Sequence, residues 1–280
     1  MSVSVLILTK NEEQDLPGCL ESVAWCDDVH LYDSHSTDRT VEIAEGFGAK
    51  VTARPFDNWS AHQNWGLANI RFKYPWVLYI DADERVSEGL KNSAIAAAKA
   101  DAPESAFRLR RRDFFTDGTW LKHAQISPFY LRLFRPEKMR YERLVNPVSI
   151  VDGPIGDIDG FLDHYPFSKG VGFWLQRHIK YADLEAATIM ENREKGGEFS
   201  LWKAFTSRDF TEKRFHQKEV FYRIPFRPFV KFLYMFLGRR AFLDGKPGVT
   251  YAILQSIYEY FIVLRQAELE GRKRLAAAAK

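Results

Sequence analysis

The segment Trp76-Val77-Leu78-Tyr79-Ile80-Asp81-Ala82-Asp83-Glu84 carries an unbroken apolar run straight into three acids. An apolar run without polar alternation fits a strand buried on both faces, as in a parallel sheet covered by helices. Open α/β sheets place their ligands at the carboxyl ends of such strands. Asp81, Asp83 and Glu84 are therefore expected to emerge together at a ligand-binding edge. Clustered carboxylates repel one another unless a cation lies between them, and a hard divalent ion such as Mg²⁺ takes oxygen ligands of this kind. The cluster points to a metal and, behind it, a phosphate. A D-x-D triplet also arises by chance in solvated turns, so its weight depends on the rest of the chain.

The first hundred residues alternate between strand and helix patterns. Val3–Leu8 predicts a strand, Thr9-Lys10-Asn11-Glu12 a polar turn, and Leu16, Cys19, Leu20 and Val23 a helix. Asp28–Tyr32 predicts a second strand running into Asp33-Ser34-His35-Ser36-Thr37-Asp38, a stretch of cap and turn residues before a helix from Arg39 to Phe47 closed by Gly48. Lys50–Ala53 follows as a strand, Ser60–Ile70 as a helix and Trp76–Ile80 as a strand. Short connections between alternating elements predict a mainly parallel sheet with helices on both faces. Ala106–Arg112 and Tyr130–Arg135 alternate as further strands around a turn at Phe114–Trp120, and these would form an acceptor side. Helical spacing returns over Phe173–Arg193 and Val249–Leu264, and Leu275–Lys280 reads as a frayed alanine-rich tail.

Composition narrows the classes. A chain of 280 residues, 46% hydrophobic and 28% charged, has the make-up of an ordinary globular protein with a large core. A net charge of +3 gives no argument for nucleic acid as a partner. Cys19 and Cys26 fit neither a zinc pattern nor a disulfide framework, so buried thiols in a reducing compartment are expected. The opening residues read as a strand rather than a signal peptide, and no apolar run is long enough to predict a spanning helix.

Three motifs in order, Ser4-Val5-Leu6-Ile7-Leu8-Thr9-Lys10-Asn11-Glu12, Asp33-Ser34-His35-Ser36-Thr37-Asp38-Arg39-Thr40 and Asp81-Ala82-Asp83-Glu84, resemble the family 2 glycosyltransferases of GT-A fold. The likeness is greatest to bacterial lipopolysaccharide-core and exopolysaccharide glucosyltransferases, and it covers about the first 165 residues. It implies a GT-A core over 1–165 and a helical extension over 166–280. It also implies a UDP-sugar donor, with Thr9, Asn11, Glu12, Asp33, Arg54, Gln63 and Asp81 at the nucleotide and Asn64 beside Gln63. Asp83 would ligate Mg²⁺ or Mn²⁺, and His164 as a neutral imidazole would complete the coordination or touch phosphate. From the residues alone, the competing reading is that Thr9 and Asn11 only shape a turn and Asp33 only caps a helix.

Inversion at the sugar, which the resemblance implies, needs a carboxylate base at the acceptor hydroxyl. Many relatives carry a His-Glu pair where this chain has Val145-Asn146-Pro147, and proline accepts no proton. Glu142, Asp113 and Asp117 are the candidate bases. Phe221–Leu237 mixes aromatic and basic residues, with Arg239 and Arg240 behind it. That mixture describes a segment lying on a membrane; a core helix with a basic rim or a dimer contact fits it as well. A lipid-linked or lipopolysaccharide-type acceptor and a peripheral position on the cytoplasmic face of the inner membrane follow as expectations. Two rivals remain. A phosphoacceptor or nucleotide-switch domain would leave the aromatic extension without a role. A catalytically silent relative that binds nucleotide or lipid as an assembly component would account for Asn146-Pro147.

Overall fold

The structure, a computed structural model, describes residues 3–100, 103–127, 129–142, 148–194, 199–207 and 210–278. The chain divides into two compact units, Met1–Lys122 with Ile126–Ser168, and His123–Gln125 with Lys169–Lys280.

The first unit opens with β1 (Val3–Thr9), α1 (Leu16–Ser22), β2 (Val29–Asp33), α2 (Thr40–Gly46), β3 (Lys50–Ala53), α3 (Trp59–Asn69) and β4 (Trp76–Asp81). The alternation expected from the sequence is present with boundaries shifted by a residue or so. Side chains of successive residues explain why the apolar runs are continuous. Val3, Val5 and Ile7 pack with α1, α2 and Leu78 and Ile80 on one face, whereas Leu6, Val77 and Tyr79 join Tyr32, Ile70, Phe134 and Tyr141 on the other. Each fully buried Leu or Ile of this kind contributes roughly 1.5–3 kcal/mol, and both faces draw on it.

Beyond β4 come β5 (Glu84–Val86), α4 (Glu88–Lys99), β6 (Ala106–Asp113), β7 (Phe129–Phe134), β8 (Met139–Glu142), β9 (Val148–Val151) and β10 (Ile155–His164). Of these, β6 and β7 match strands expected from the sequence, while β5, α4 and the β8–β9 ribbon were not expected. The sheet order is β3-β2-β1-β4-β7-β6-β10-β5. Strands β3, β2, β1 and β4 run parallel, β7 is antiparallel to both neighbours, β6 and β10 are again parallel, and β5 closes the edge antiparallel. Because β7 reverses twice, the carboxyl ends of β2, β1, β4, β6 and β10 share one edge.

Two local devices make the second half fit. Ser87 caps α4 by accepting from the Leu90 N–H and also accepts from the Phe161 N–H, tying α4 to β10. Gly160 sits at φ +100, where a Cβ would lie 2.4 Å from the Leu90 nitrogen. The register of β10 against β6 shifts at this point, between Asp157 and Phe161.

The second unit contains α5 (Gly170–Glu194), α6 (Lys203–Thr206), α7 (Phe210–Arg223), α8 (Arg227–Leu233) and α9 (Gly245–Ala278). Ala182, Ala186 and Ile189 of α5 pack on Ile262 of α9, with Tyr222, Tyr258 and Phe261 around them. The small residues let the two helices approach closely. Asp244 accepts from the backbone N–H groups of His123 and Ala124, which joins 123–125 to this unit. The segment expected to be frayed at the C-terminus is helical through Ala278, because α9 continues well past Leu264. Among the described residues, no helix is long and apolar enough to cross a membrane.

Candidate active site

The parallel strands bring the sequence-predicted acids to the common edge. Thr9 pairs in register with Asp33, and Leu8 with Asp81. On the far side of β7, His164 is in register with Asp113. Asp83 follows β4 by two residues, and its carbonyl accepts from the Tyr165 N–H at 2.9 Å, linking the acidic turn to the end of β10.

The β1 and β2 ends are held by a dense set of hydrogen bonds. Thr9 donates to Asp33 Oδ1 at 2.9 Å, and the Ser36 N–H and hydroxyl donate to the same carboxylate at 2.7 and 2.5 Å. Asn11, at φ 56, accepts from the Thr37 N–H at 2.8 Å, and the Glu12 N–H donates to Thr40 Oγ1 at 2.7 Å. Asp33 is buried and holds the turn to Ser36, but it caps no helix, since α2 starts at Thr40 with Arg39 at its N-cap and no side-chain cap. Arg54 follows β3, donates its N–H to the Asp33 carbonyl and forms a forked pair with Asp57. Gln63 is buried: its amide donates weakly to the Tyr79 hydroxyl at 3.4 Å, which in turn donates to Asp81 Oδ1 at 2.9 Å. Gln63 thus reaches Asp81 through Tyr79 instead of standing open to a ligand. Asn64 is spent on the backbone of Tyr141, donating to its carbonyl and accepting from its N–H, both at 2.8 Å.

The acidic cluster differs from its expected form. Glu84 does not emerge with the other acids; it turns inward, fully buried, and accepts from the Asp81 N–H at 2.9 Å. The cation between carboxylates is, for Asp81 and Glu84, a side chain: Arg132 Nη2 donates to Asp81 Oδ2 at 2.8 Å and to Glu84 Oε1 at 3.1 Å. Arg111 adds a second cation 3.6 Å from Glu84. Burial pushes the Glu84 carboxyl up, and the guanidinium of Arg132 opposes it. Arg132 itself is buried on β7, stacked 4.4 Å over the Tyr79 ring. Neither arginine was singled out from the sequence. The available signal was an arginine inside the alternating strand Tyr130–Phe134, since a buried guanidinium needs an acid nearby.

Asp83 and His164 do come together, with His164 Nε2 3.4 Å from Asp83 Oδ2. On its other side, His164 Nδ1 lies 2.5 Å from Asp113 Oδ1, and Arg111 Nε is 3.0 Å from the same oxygen. Burial pulls the imidazole down, but the hydrogen bonds to Asp113 and Asp83 outweigh it and push His164 up to about 9. A metal at Nε2 would take the place of the proton that the two carboxylates favour and leave the ring as a neutral ligand. Among the described residues, no three His, Cys, Asp or Glu side chains form a set that could hold a metal ion. Asp83 and His164 are a pair that could contribute to a site for an ion such as Mg²⁺ or Mn²⁺, which takes its other ligands from water and substrate phosphate. A carboxylate on the far nitrogen, here Asp113, is the usual support for such a histidine.

The three candidate bases occupy different settings. Asp113 is buried against His164 and Arg111. Asp117 accepts from the Thr119 N–H at 3.0 Å within its own exposed turn. Glu142, exposed at the end of β8, is 3.1 Å from Arg140. The Val145-Asn146-Pro147 departure lies outside the described residues. Cys19 and Cys26 are free and buried.

A mainly parallel sheet flanked by helices, with acids and a histidine along one strand edge, defines an α/β protein of GT-A-like architecture. Within it, residues 4–157 match the model of Glycosyl transferase family 2, more than half of the chain, and the chain belongs to that family. It is 23% identical over 275 residues to the lipopolysaccharide core biosynthesis glycosyltransferase LpsC of Rhizobium meliloti, covering 93% of this chain and 92% of that protein. An uncharacterized glycosyltransferase of Rickettsia bellii is 40% identical over 91 residues, 32% of this chain, and the match spans only 30% of the Rickettsia protein. Among solved structures, Staphylococcus aureus TarS is similar with a TM-score of 0.42 at 14% identity, over 90% of this chain and 55% of that one. Glucosyl-3-phosphoglycerate synthase from Mycobacterium tuberculosis, in complex with Mn²⁺ and UDP-glucose, is similar with a TM-score of 0.33 at 20% identity, over 39% and 43%.

Proposed function

We propose that this chain is an inverting glycosyltransferase that moves a sugar from a nucleoside diphosphate donor, UDP in preference to GDP, to a lipid-carried glycan of the lipopolysaccharide type. The observation that carries the reading is the alignment of Asp33, Asp81, Asp83 and His164 along one sheet edge of a family 2 chain. Thr9, Asn11, Glu12, Asp33 and Arg54 would frame the nucleoside on the β1 to β3 side, with Asp81 at the ribose. Asp83 and His164 would hold Mg²⁺ or Mn²⁺, whose charge, when bound, offsets the negative charge growing on the leaving diphosphate.

In the reaction the acceptor hydroxyl oxygen forms a bond to the anomeric carbon from the face opposite the nucleotide. The bond from that carbon to the diphosphate oxygen breaks, and the hydroxyl proton passes to a carboxylate. We favour Glu142 of the three candidates for that proton, because Asp113 is buried against His164 and Arg111 and Asp117 is held in its own turn by Thr119, whereas Glu142 is exposed with Arg140 beside it. Asn64 clamps Tyr141, the residue before Glu142, to α3, which fixes where β8 ends. The near full-length likeness to a lipopolysaccharide core enzyme supports the acceptor class. Exposed Trp202, Phe205, Phe226 and Phe229 on the second unit support a peripheral site on a membrane, the cytoplasmic face of an inner membrane being the reading that fits such an acceptor.

A thermal-shift titration with UDP and GDP, each with and without Mn²⁺ or Mg²⁺, tests the donor site. A ligand that binds only the folded state adds about 2.7 kcal/mol at a hundred times its dissociation constant. A metal-dependent shift with UDP that Asp83→Ala removes is the expected result; no shift with any nucleotide would overturn the donor site. The silent-relative reading, which Asn146-Pro147 favours, predicts the UDP shift without transfer to any lipopolysaccharide-core acceptor.

A further inference from the structure

The second unit holds a cavity of about 550 Å³, within the size range of small-molecule sites. Ile224, Pro225, Phe226, Phe229, Tyr260 and Val263 give it an apolar wall. Behind that wall lies a buried polar set. Arg227 is 2.7 Å from Glu259 and donates to Gln266 Oε1 at 2.7 Å and to the Tyr222 carbonyl at 3.1 Å. Arg227, Glu259 and Gln266 are each more than nine-tenths buried. The Arg227 and Glu259 charges compensate one another, and Gln266 Oε1 is taken. Among the described residues Gln266 Nε2 has no acceptor, and it is a buried donor on a residue that lines the cavity. Such a donor carries a desolvation penalty that a ligand oxygen would remove.

The residues beside the cavity indicate where a ligand would come from. Phe226 is 85% exposed and sits at φ 53, a left-handed conformation costly for a residue with a side chain. Phe229, one turn along α8, is 60% exposed. Two phenyl groups held outward next to an apolar cavity, with the Arg193–Glu270 ion pair on its lining, match the chemistry of the lipid headgroup boundary.

We propose that this cavity binds the apolar chain of one membrane lipid, an ester, amide or phosphate oxygen of which accepts from Gln266 Nε2 while Phe226 and Phe229 lie in the headgroup layer. The proposal deepens the membrane part of the proposed function and is independent of the transfer chemistry. It is tested on the full-length protein with two probes: dansyl-undecanoic acid in solution, and vesicles of phosphatidylethanolamine and phosphatidylglycerol. Ala267→Phe narrows the cavity from an exposed position on α9, and Val263→Trp fills it from within. Wild-type protein should bind the dansyl probe saturably. Ala267→Phe should weaken that binding by roughly tenfold or more, because each methylene expelled from an apolar site loses a few-fold in affinity, with its melting temperature and UDP response unchanged. Lack of saturable binding by the wild type, or equal binding by both variants, would overturn the cavity assignment. Sedimentation with vesicles without probe binding would overturn the cavity and leave the membrane reading standing. Probe binding without vesicle sedimentation would overturn the membrane as the source of the ligand.

Discussion

The imidazole of His164 stands between two carboxylates, with Nδ1 2.5 Å from Asp113 Oδ1 and Nε2 3.4 Å from Asp83 Oδ2. The arrangement makes Asp113 a support for the ring. Asp113→Asn should therefore raise the Mn²⁺ concentration needed for the UDP-dependent thermal shift by roughly 10- to 100-fold, while nucleotide affinity at saturating metal stays near wild type. An unchanged metal titration would remove this role from Asp113.

Arg132 holds two carboxylates that would otherwise face each other, Asp81 at the site and Glu84 in the core. Arg132→Met leaves Glu84 buried with His164 and the more distant Arg111 as its remaining positive neighbours among the described residues, and removing one partner of a buried pair costs about 3–5 kcal/mol. The double variant Arg132→Met, Glu84→Gln should regain a substantial part of that loss. Urea unfolding of the two singles and the double gives the coupling, and additive effects would show that the pair does not interact energetically.

Asp28 supplies the clearest acid-dependent contribution to stability. It is fully buried, paired with Lys50 at 2.6 Å, and accepts from Ser4 and the Lys73 N–H. Burial raises its carboxyl, but Lys50, Ser4 and Lys73 prevail and bring it down to about 2. A folded value below the unfolded one means that the stabilisation is present above the unfolded value and is lost as pH falls toward the folded one. Asp28→Asn should lower stability by about 2 kcal/mol at neutral pH, and the difference from wild type should shrink as pH drops below 4. A pH-independent difference would assign the loss to packing.

Gly160 is where β10 passes closest to α4. Gly160→Ala would force a methyl into the Leu90 backbone at a positive φ and should cost roughly 2–4 kcal/mol. Since β10 ends in His164, a response of the metal-dependent UDP shift beyond the loss in melting temperature would show that the bulge also sets the histidine. Gly46→Ala, in open space on α2, is the neutral control.

The sequence by itself determined the parallel half of the sheet, because apolar runs and helical spacing are local patterns, and it placed Asp33, Asp81 and Asp83 at strand ends for the same reason. It also pointed to His164, through resemblance, and the fold brings that residue within 3.4 Å of Asp83. What only the tertiary structure decided is what each of these groups touches. Glu84 follows Asp83 directly yet points into the core, because the chain reverses there into β5 and pairs with β10. Arg132 and Asp113 reach the cluster from strands far along the chain, through a β7 reversal that no local pattern specifies. Gln63 and Asn64 read as equivalent helix-surface amides until α3 packs against the sheet, turning one toward Tyr79 and the other onto β8. Strand pattern follows from burial of one's own side chain and is local; charge partnership depends on which strand becomes a neighbour, and only the completed sheet settles that.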